Sequence, residues 1–575
     1  MSSDCLPPMI VELFGGDEIF PDKKKRKNGD NFSNLAKLVK KCGLLKEVPN
    51  LDVEDERQFR VLGNISGYLN EMKVATAVIE TEYVDRDYLD DYVRFYSRCY
   101  VKYPRRCHRI HFFKNEYKKE LIEDLLAKPD PSTADESGAS PKDDAFTNFA
   151  KDYLGFVVIR PLATGLVGRT CLKSYPDENG RHYTAMCDVK VSFFGRELTV
   201  RCMPFIQQDS ATAVCAGCAL WSTFMVTAQL FQHKRYCPGC ITELATGHGL
   251  SDKRNFPNGG LFIRDMAYAM RSVGLAPINL AYDSDTPMDR MHQLGNIYAY
   301  LSAGLPIVLT GALRRSDNTV KGEHAVVVNG YHMPAGRSGS SFLFSDRIDK
   351  IYVHDDQIGP GARMTNPTEI SRDGDGKNIL KWKTHWPDEL SKEPDTMKME
   401  VHALLIPTYH KIRVDYEMIF RQIEPLEMAL KNTVEVLTTD PAYKSLSPLA
   451  SKCKIHEWNI RLLTAKDHKR EIRQEDEELM STEEKLRILE KGYPRYVWDI
   501  KLLGDGNREL RFVVDATDSG QNLNVLDVLF YQGNMATIFH TMAGREWYRA
   551  ELKTNPLMAK FCKTFLAQAG MAQNK

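Results

Sequence analysis

Apolar residues in the middle of the chain follow helical spacing first and strand-like spacing afterwards. Behind Cys215 they recur at intervals of three or four residues, which predicts a helix that starts near this cysteine. Two further helices are predicted over 238–245 and 261–273. The apolar stripe of the first helix comprises Leu220, Phe224, Ala228 and Phe231.

Short apolar runs then replace the helical pattern and predict strands. These runs lie at 306–310, 325–331, 341–344 and 351–354, and two earlier ones lie at 153–160 and 189–194. Helical segments followed by successive short strands favour an α+β fold with an antiparallel sheet.

A chain of 575 residues is too long for one hydrophobic core, and shifts in composition along it indicate domain boundaries. The small, polar, proline-flanked segment 129–144 is the predicted linker. The other predicted divisions are an aromatic-rich, mainly helical domain over 1–128, a central domain over 145–410 and an α/β accessory domain over 411–575. In the last of these, strands are predicted over 496–502 and 510–514, and a helix start at Ser481.

The charge and composition of the chain argue against several classes of function. The formal net charge is zero, so no basic excess points to nucleic acid or to an anionic membrane as a partner. No run of about 18 apolar residues is present, and the segment after Met1 lacks the pattern of a secretory signal. We therefore expect a cytoplasmic protein whose thirteen cysteines are reduced.

Three separated residues form a candidate catalytic set. Cys215 opens the predicted helix, His324 opens a predicted strand, and Asp355 follows the next one. A thiol at a helix start gains from the helix dipole, an imidazole takes its proton, and a carboxylate orients the imidazole. Gln208, seven residues before Cys215, is placed to donate a hydrogen bond to an oxyanion. This chemistry requires no cofactor.

The segments around these residues resemble the bacteriocin-leader-processing branch of papain-like peptidases. The similarity lies in 208–221, in 322–331 with its Gly-Tyr ending, and in 353–359 with its Gly-containing turn, within roughly residues 150–407. It implies a papain-like core of helices and antiparallel sheet, with Cys215 as nucleophile, His324 as base and Asp355 as its orienting carboxylate.

The chain departs from that branch at several positions. Val214 and Ala216 flank Cys215 where the branch has Asp and Gly, and Asp356 follows Asp355 where the branch has Pro. The glutamine spacing is one residue longer. The resemblance therefore does not imply specificity for leader peptides.

Several alternatives stay open at the level of sequence. Cys218 is a rival nucleophile one helical turn on, and Asp356 is a rival partner for His324 on the opposite strand face. The two Cys-x2-Cys pairs at 215–218 and 237–240 have the spacing of a zinc site, but an apolar helix separates them, so no metal site is expected. The cluster Cys99, Cys107, His108 and His111 lies among aromatic residues at helical spacing and is interpreted as packing.

The sequence thus predicts a cysteine peptidase that acts on a protein or peptide through an acyl-enzyme. Gly259, Gly260 and Leu261 are predicted to line the substrate cleft. The flanking domains are expected to select the substrate or to cover the cleft until a regulatory partner binds. The architecture suggests a regulated bacterial effector of antiviral defence. Transglutaminase, deamidase or isopeptidase chemistry, or an inactive peptidase-fold binding scaffold, remain alternatives.

Overall fold

Helices and antiparallel strands both build this fold, which is α+β. The computed structural model divides into two compact units. The first unit comprises 1–282, 306–332 and 350–407, and the second comprises 283–305, 333–349 and 408–575. The residues described are 9–13, 34–41, 43–46, 48–52, 56–128, 144–209, 211–212, 214–248, 254–282, 287–336, 342–366, 371–372, 378–379, 381–387, 396–453, 456–504, 507–519, 523–531, 557 and 559.

A five-stranded antiparallel sheet opens the first unit. Its strands follow in the order β1 (Met9–Leu13), β2 (Thr76–Tyr83), β3 (Cys107–Phe113), β4 (Tyr153–Ile159) and β5 (Val167–Leu172). The helices of this region are α1 (Asn34–Lys41), α2 (Arg60–Glu71), α3 (Arg86–Arg94), α4 (Lys119–Ala127) and α5 (Asp144–Lys151). Alternate residues face opposite sides, so Val78 joins one apolar cluster and Ile79 another.

This sheet spans the predicted linker. Strands β2 and β3 precede 129–144, whereas β4 and β5 follow it, and β3 pairs with β4 from His108 to Phe113. The predicted boundary therefore differs from the division of the structure, in which both sides belong to one unit. Helices predominate in the segment before the linker, and it also contributes the strands β1, β2 and β3. Residues 129–143 lie outside the described part of the chain, and Asp144 begins α5.

Six further strands close into a barrel. They are β10 (Ile307–Arg314), β11 (Val320–His332), β12 (Lys350–Asp355), β13 (Gly359–Thr365), β16 (Lys381–Pro387) and β17 (Thr396–Tyr409). Strand β17 closes the ring because it pairs with β16 on one side and β10 on the other. The remaining strands of this unit are β6 (Arg181–Tyr183), which pairs with β11, the hairpin β7 (Cys187–Phe193) and β8 (Arg196–Cys202), β9 (Leu275–Ala281), and the short pair β14 (Ser371–Arg372) and β15 (Asn378–Ile379).

The helix α6 (Cys215–Phe231) packs on this barrel. Two shorter helices follow it, α7 (Pro238–Thr246) and α8 (Ile263–Ser272). The predicted stripe of α6 underestimates its burial, because every residue from Ala216 to Ala228 is buried. The cause is contact on several sides: α6 touches β10, β11 and β12 of the barrel as well as α7 and β7.

The second unit is built on a four-stranded antiparallel sheet. Its strands run in the order β18 (His456–Thr464), β19 (Tyr496–Gly504), β20 (Asn507–Asp515) and β21 (Val525–Phe530). Its helices are α9 (Pro287–Leu301), α10 (Tyr416–Thr439), α11 (Ser447–Lys452), α12 (Ala465–Arg473) and α13 (Thr482–Glu490). Ser481 caps α13 together with Glu484, as the sequence predicts. A buried ion pair between Asp499 and Arg511 links two of the strands.

Most predicted elements of the central region are present, with longer strands than expected. One is wrong: Phe344 opens a 3-10 turn up to Arg347, and Leu343 makes only an isolated bridge, so the part of 341–344 that the structure describes is not a regular strand. Among the described helices, none is both long enough and apolar enough to cross a membrane.

Candidate thiol site

The side chain of Cys215 lies at the first residue of α6. The preceding residue, Val214, has extended dihedral angles and caps the helix without a side-chain hydrogen bond. The thiol is half-buried, whereas Cys218, one turn further on, is buried. The helix dipole and the unpaired amides of the first turn favour negative charge at this sulfur. Of the two candidate nucleophiles, Cys215 is the accessible one.

A buried aspartate shapes the loop that leads into α6. Asp209 accepts hydrogen bonds from the backbone amides of Ala211 at 2.7 Å and Thr212 at 2.6 Å, and from the Thr212 hydroxyl at 2.6 Å. The carbonyl of Thr212 in turn accepts a bond from the Thr242 hydroxyl of α7 at 2.9 Å. Asp209 was not among the predicted residues, although an Asp side chain that accepts from the backbone two residues on is a known turn signal.

His324 lies on β11 and joins the thiol to a carboxylate. Its ring is buried, and an interaction with the thiol of Cys215 helps to raise its pKa. Its Nε2 atom lies 3.1 Å from Oδ2 of Asp355, at the end of β12. The structure therefore brings together Cys215, His324 and Asp355 from three elements of the first unit.

Each carboxylate oxygen of Asp355 accepts two hydrogen bonds. Its Oδ1 accepts from the backbone amides of Gln357 at 3.0 Å and Ile358 at 3.3 Å. Its Oδ2 accepts from Nε1 of Trp386 at 2.8 Å, in addition to the contact with His324. These bonds hold the carboxylate in one orientation and stabilise its charged form.

Trp386 covers the contact between His324 and Asp355. This buried residue on β16 meets the imidazole edge to face, with ring centroids 5.7 Å apart. Two cations lie over its indole ring, Lys321 at 4.7 Å and Arg60 at 5.8 Å. The sequence carries no local signal for this role, because Trp386 comes from β16, which pairs with β13 and β17 and not with the strands of His324 and Asp355.

Asp356 differs sharply from its neighbour. It is buried, its Oδ1 lies 3.9 Å from Nε2 of His324, and neither of its oxygens accepts a hydrogen bond from another described residue. It lines a narrow cavity together with Cys215, Cys218 and Ser222. Simple alternation would place it on the opposite face, but the register shifts between Val353 and Asp355, so both carboxylates approach the imidazole.

Electrostatics favour an ion pair between His324 and Asp355. Burial lowers the pKa of His324, but the charge and hydrogen bond of Asp355, with the bond to Cys215, outweigh it and hold that pKa well above its usual value. Burial likewise raises the pKa of Asp355, and the imidazolium, the Gln357 amide and Trp386 reverse that effect and lower it. For Asp356, burial dominates and raises the pKa to about 7. An imidazolium that holds a proton beside a thiol is the arrangement that generates a thiolate.

The predicted oxyanion donor lies just ahead of the Asp209 turn. The neighbouring Gln207 already makes structural hydrogen bonds. Its Oε1 accepts from the Val167 amide at 2.9 Å, and its backbone carbonyl accepts from Arg160 at 2.8 Å. Gln208, the next residue, is half-buried. Of the two glutamines, Gln208 remains the candidate donor.

The predicted cleft residues lie beside the loop that precedes Cys215. The amide of Asn258 bonds to the carbonyl of Ala211 at 3.1 Å and so anchors this segment. Gly260 has a φ of +134° and, like Gly259, has open space where a side chain would be. Leu261 is half-buried against the apolar core. The Asn258 bond thus ties residues 259–260 to the segment that precedes Cys215.

Potential metal ligands come close together at one place among the described residues. One group of potential ligands lies close together, namely His324, Asp355 and Asp356, with ligand atoms within 4.8 Å of one another. The four donors around Asp355 occupy the lone pairs that a cation would need. The thiols of the two Cys-x2-Cys pairs do not gather into a ligand group in the described chain. In the cluster near Cys99, His111 is buried and bonds to the Tyr153 hydroxyl at 2.9 Å.

Models of known protein families give no match to this sequence, and neither do the sequences of curated proteins. The resemblance to papain-like peptidases therefore rests on the residues of the three segments and remains an interpretation.

Proposed function

We propose that this chain is a cysteine peptidase that cleaves a protein or peptide substrate through Cys215, His324 and Asp355. The observation that carries the proposal is that the His324 ring lies 3.1 Å from Asp355 and also interacts with the Cys215 thiol. A helix start supplies the thiol and a barrel supplies the imidazole and carboxylate, so each group has a rigid support.

In the proposed reaction, the proton of Cys215 resides on His324 and the thiolate attacks the substrate carbonyl. The Cys215 amide and the Gln208 side chain stabilise the oxyanion. His324 then gives its proton to the leaving amine, and a thioester forms on Cys215. A water molecule, deprotonated by His324, attacks the thioester and releases the acid product.

Asp355 and Trp386 serve as positioning residues in this scheme. Asp355 fixes the ring orientation of His324 and stabilises the imidazolium. Trp386 donates to Asp355 and keeps water away from the pair. Residues before the predicted linker contribute as well: Arg60 lies over Trp386, and Asn64 donates to the Ile358 carbonyl at 2.7 Å. These contacts favour a role for the N-terminal segment in controlling the site.

Alkylation kinetics test the proposal without a known substrate. The full chain is treated with iodoacetamide at pH 6, and labelling of individual cysteines is followed by peptide mass spectrometry. Cys99 is the internal control, because it is half-buried and burial raises its pKa. We expect Cys215 to react at least about tenfold faster than Cys99, since a thiolate is the reactive species.

Variants make this test specific. His324→Ala is expected to remove the advantage of Cys215 over Cys99, whereas Cys218→Ala is expected to keep it. Wild type and Cys215→Ala are then compared on a mixed peptide library, with and without a primary amine, so that hydrolysis is distinguished from acyl transfer to an amine. Equal labelling of Cys215 and Cys99 in both wild type and His324→Ala would contradict the proposal.

A further inference from the structure

A second pair of thiols lies at the start of α7, outside the candidate site. The sulfurs of Cys237 and Cys240 are 2.7 Å apart. Cys237 occupies the N-cap position, where its sulfur accepts from the Cys240 backbone amide at 3.2 Å. A disulfide bond length is about 2.05 Å, so a small displacement would join the two atoms.

The two residues between these cysteines permit the helix α3 to approach. Pro238 occupies the first turn of α7, where a missing amide hydrogen has no cost. The Gly239 amide donates to Oδ1 of Asp91 at 2.8 Å. A side chain at Gly239 would meet the same oxygen at 2.7 Å and the Arg94 stem at 3.2 Å. The close approach therefore requires glycine and places Arg94 over the thiols.

The two sulfurs are not equivalent. Cys237 is buried, whereas Cys240 is half-buried and receives a hydrogen bond from the Arg94 guanidinium at 3.0 Å. Arg94 is held in turn by Glu243 of α7 at 3.3 Å. Cys240 lines an open surface depression whose other cations are Arg86, Lys234 and Arg235. A small anionic or neutral thiol reagent can reach Cys240 first.

The pKa values of the two thiols also differ. The hydrogen bond from Cys237 and the contact with Arg94, against the effect of burial, lower the pKa of Cys240 to about 6. The same hydrogen bond and burial raise the pKa of Cys237. Loss of one proton from the pair is therefore favoured at the accessible sulfur of Cys240.

We propose that Cys237 and Cys240 form a redox-active dithiol that undergoes exchange with low-molecular-weight disulfides. The Cys240 thiolate attacks one sulfur of the disulfide, breaks its S–S bond and releases one thiolate, which takes up a proton. The Cys237 thiol then loses its proton to solvent and attacks the Cys240 sulfur of the mixed disulfide. A second thiol leaves, so two protein thiols are oxidised and one small disulfide is reduced to two thiols.

A metal site is the rival explanation for two close thiols. Among the described residues, no third histidine, cysteine or carboxylate joins this pair in a ligand group. The guanidinium of Arg94 also occupies the position from which a cation would be bound. Both observations favour exchange chemistry over metal binding.

The experiment equilibrates the full chain with defined ratios of reduced and oxidised glutathione. Free thiols are then blocked by alkylation and quantified by peptide mass spectrometry, and bound zinc is measured on the same sample. We expect Cys237 and Cys240 to lose their alkylation together, in one intramolecular disulfide that dithiothreitol reverses. The protein should contain no stoichiometric zinc.

Single variants test the order of attack. Cys237→Ser should accumulate a glutathione mixed disulfide on Cys240, because the resolving thiol is missing, whereas Cys240→Ser should accumulate none on Cys237. Arg94→Gln should slow the exchange roughly tenfold at neutral pH, since less Cys240 is thiolate. Cys215→Ala should behave as wild type, which separates this inference from the proposed peptidase activity. Full alkylation of both thiols at all ratios, trapping on Cys237 alone, or one retained zinc per chain would overturn it.

Discussion

At the scale of single residues, two neighbouring aspartates have opposite environments. Asp355 accepts bonds from four donors, and its pKa is lowered against the effect of burial. Asp356 accepts none from other described residues, and burial raises its pKa to about 7. The first is a fixed charge, and the second is a group that titrates near neutrality. Separate substitutions therefore have different expected effects.

Asp355→Asn is expected to lower peptidase turnover by about 10²–10⁴-fold without loss of the fold. The asparagine amide would place a donor against Nε1 of Trp386 or Nε2 of His324, both of which need an acceptor. Steady-state cleavage rates and circular dichroism of the purified variant provide the measurement. A larger loss of turnover in Asp356→Asn than in Asp355→Asn would show that the wrong carboxylate has been assigned.

Asp356→Asn is expected to change how stability depends on pH. Since the folded-state pKa of Asp356 is about 7, above the roughly 3.9 of an exposed aspartate, the folded protein holds a proton that the unfolded chain releases. This contribution to stability is complete below about pH 4 and is lost as the pH rises through about 7. The variant should gain stability relative to wild type over that window.

Denaturant unfolding at several pH values between about 4 and 8 measures this difference. The matched control is Asp124→Asn, at an exposed position of α4. Curves for Asp356→Asn and wild type that run parallel across the whole range would contradict a raised pKa for Asp356.

Reactive side chains that lie beside a local helix or strand pattern could be predicted from the sequence. Residues whose role depends on the pairing of strands far apart in the chain could not. Cys215, His324 and Asp355 stand next to clear helix and strand patterns, and the structure brings them together. Trp386 comes from a strand whose neighbours are set only when the barrel closes. The roles of these residues in catalysis remain predictions.

At the scale of elements, local periodicity is sufficient to predict α6, α7, β11 and β12 from the sequence. Each of these elements has its own apolar pattern and its own signals at the ends. The barrel was not predicted, since closure depends on β17 pairing with two partners far apart in sequence. The local register shift at the end of β12 was also missed. Such a shift leaves no trace in residue alternation.

The loop before α6 provides a prediction at this scale. Asp209→Ala removes the carboxylate that accepts buried hydrogen bonds from the amides of Ala211 and Thr212 and from the Thr212 hydroxyl. We expect a loss of about 3 kcal/mol in unfolding free energy, together with slower alkylation of Cys215 as the helix start loosens. Asp209→Asn is the matched control, because its amide oxygen can still accept from both backbone amides. Equal stability of the alanine and asparagine variants would contradict this role.

At the scale of the whole chain, the first unit is assembled from segments far apart in sequence. Its five-stranded sheet joins β2 and β3 to β4 and β5 across the predicted linker. Its barrel uses 306–332 and 350–407. Composition identified a polar segment at 129–144, but composition alone cannot show that strands on both sides pair. The N-terminal segment is therefore part of the structure that supports the thiol site.

Cleavage within the predicted linker tests this assembly. A recognition sequence for a specific protease is inserted between positions 129 and 143, and the purified chain is cut to completion. Because β3 and β4 pair along most of their length and Asn64 bonds to Ile358, we expect both fragments to co-elute in size-exclusion chromatography and Cys215 to keep its alkylation rate. In denaturant the same sample should separate into two species, which verifies the cut. Separation under native conditions, with a C-terminal fragment that remains folded, would instead support independent domains on either side of the linker.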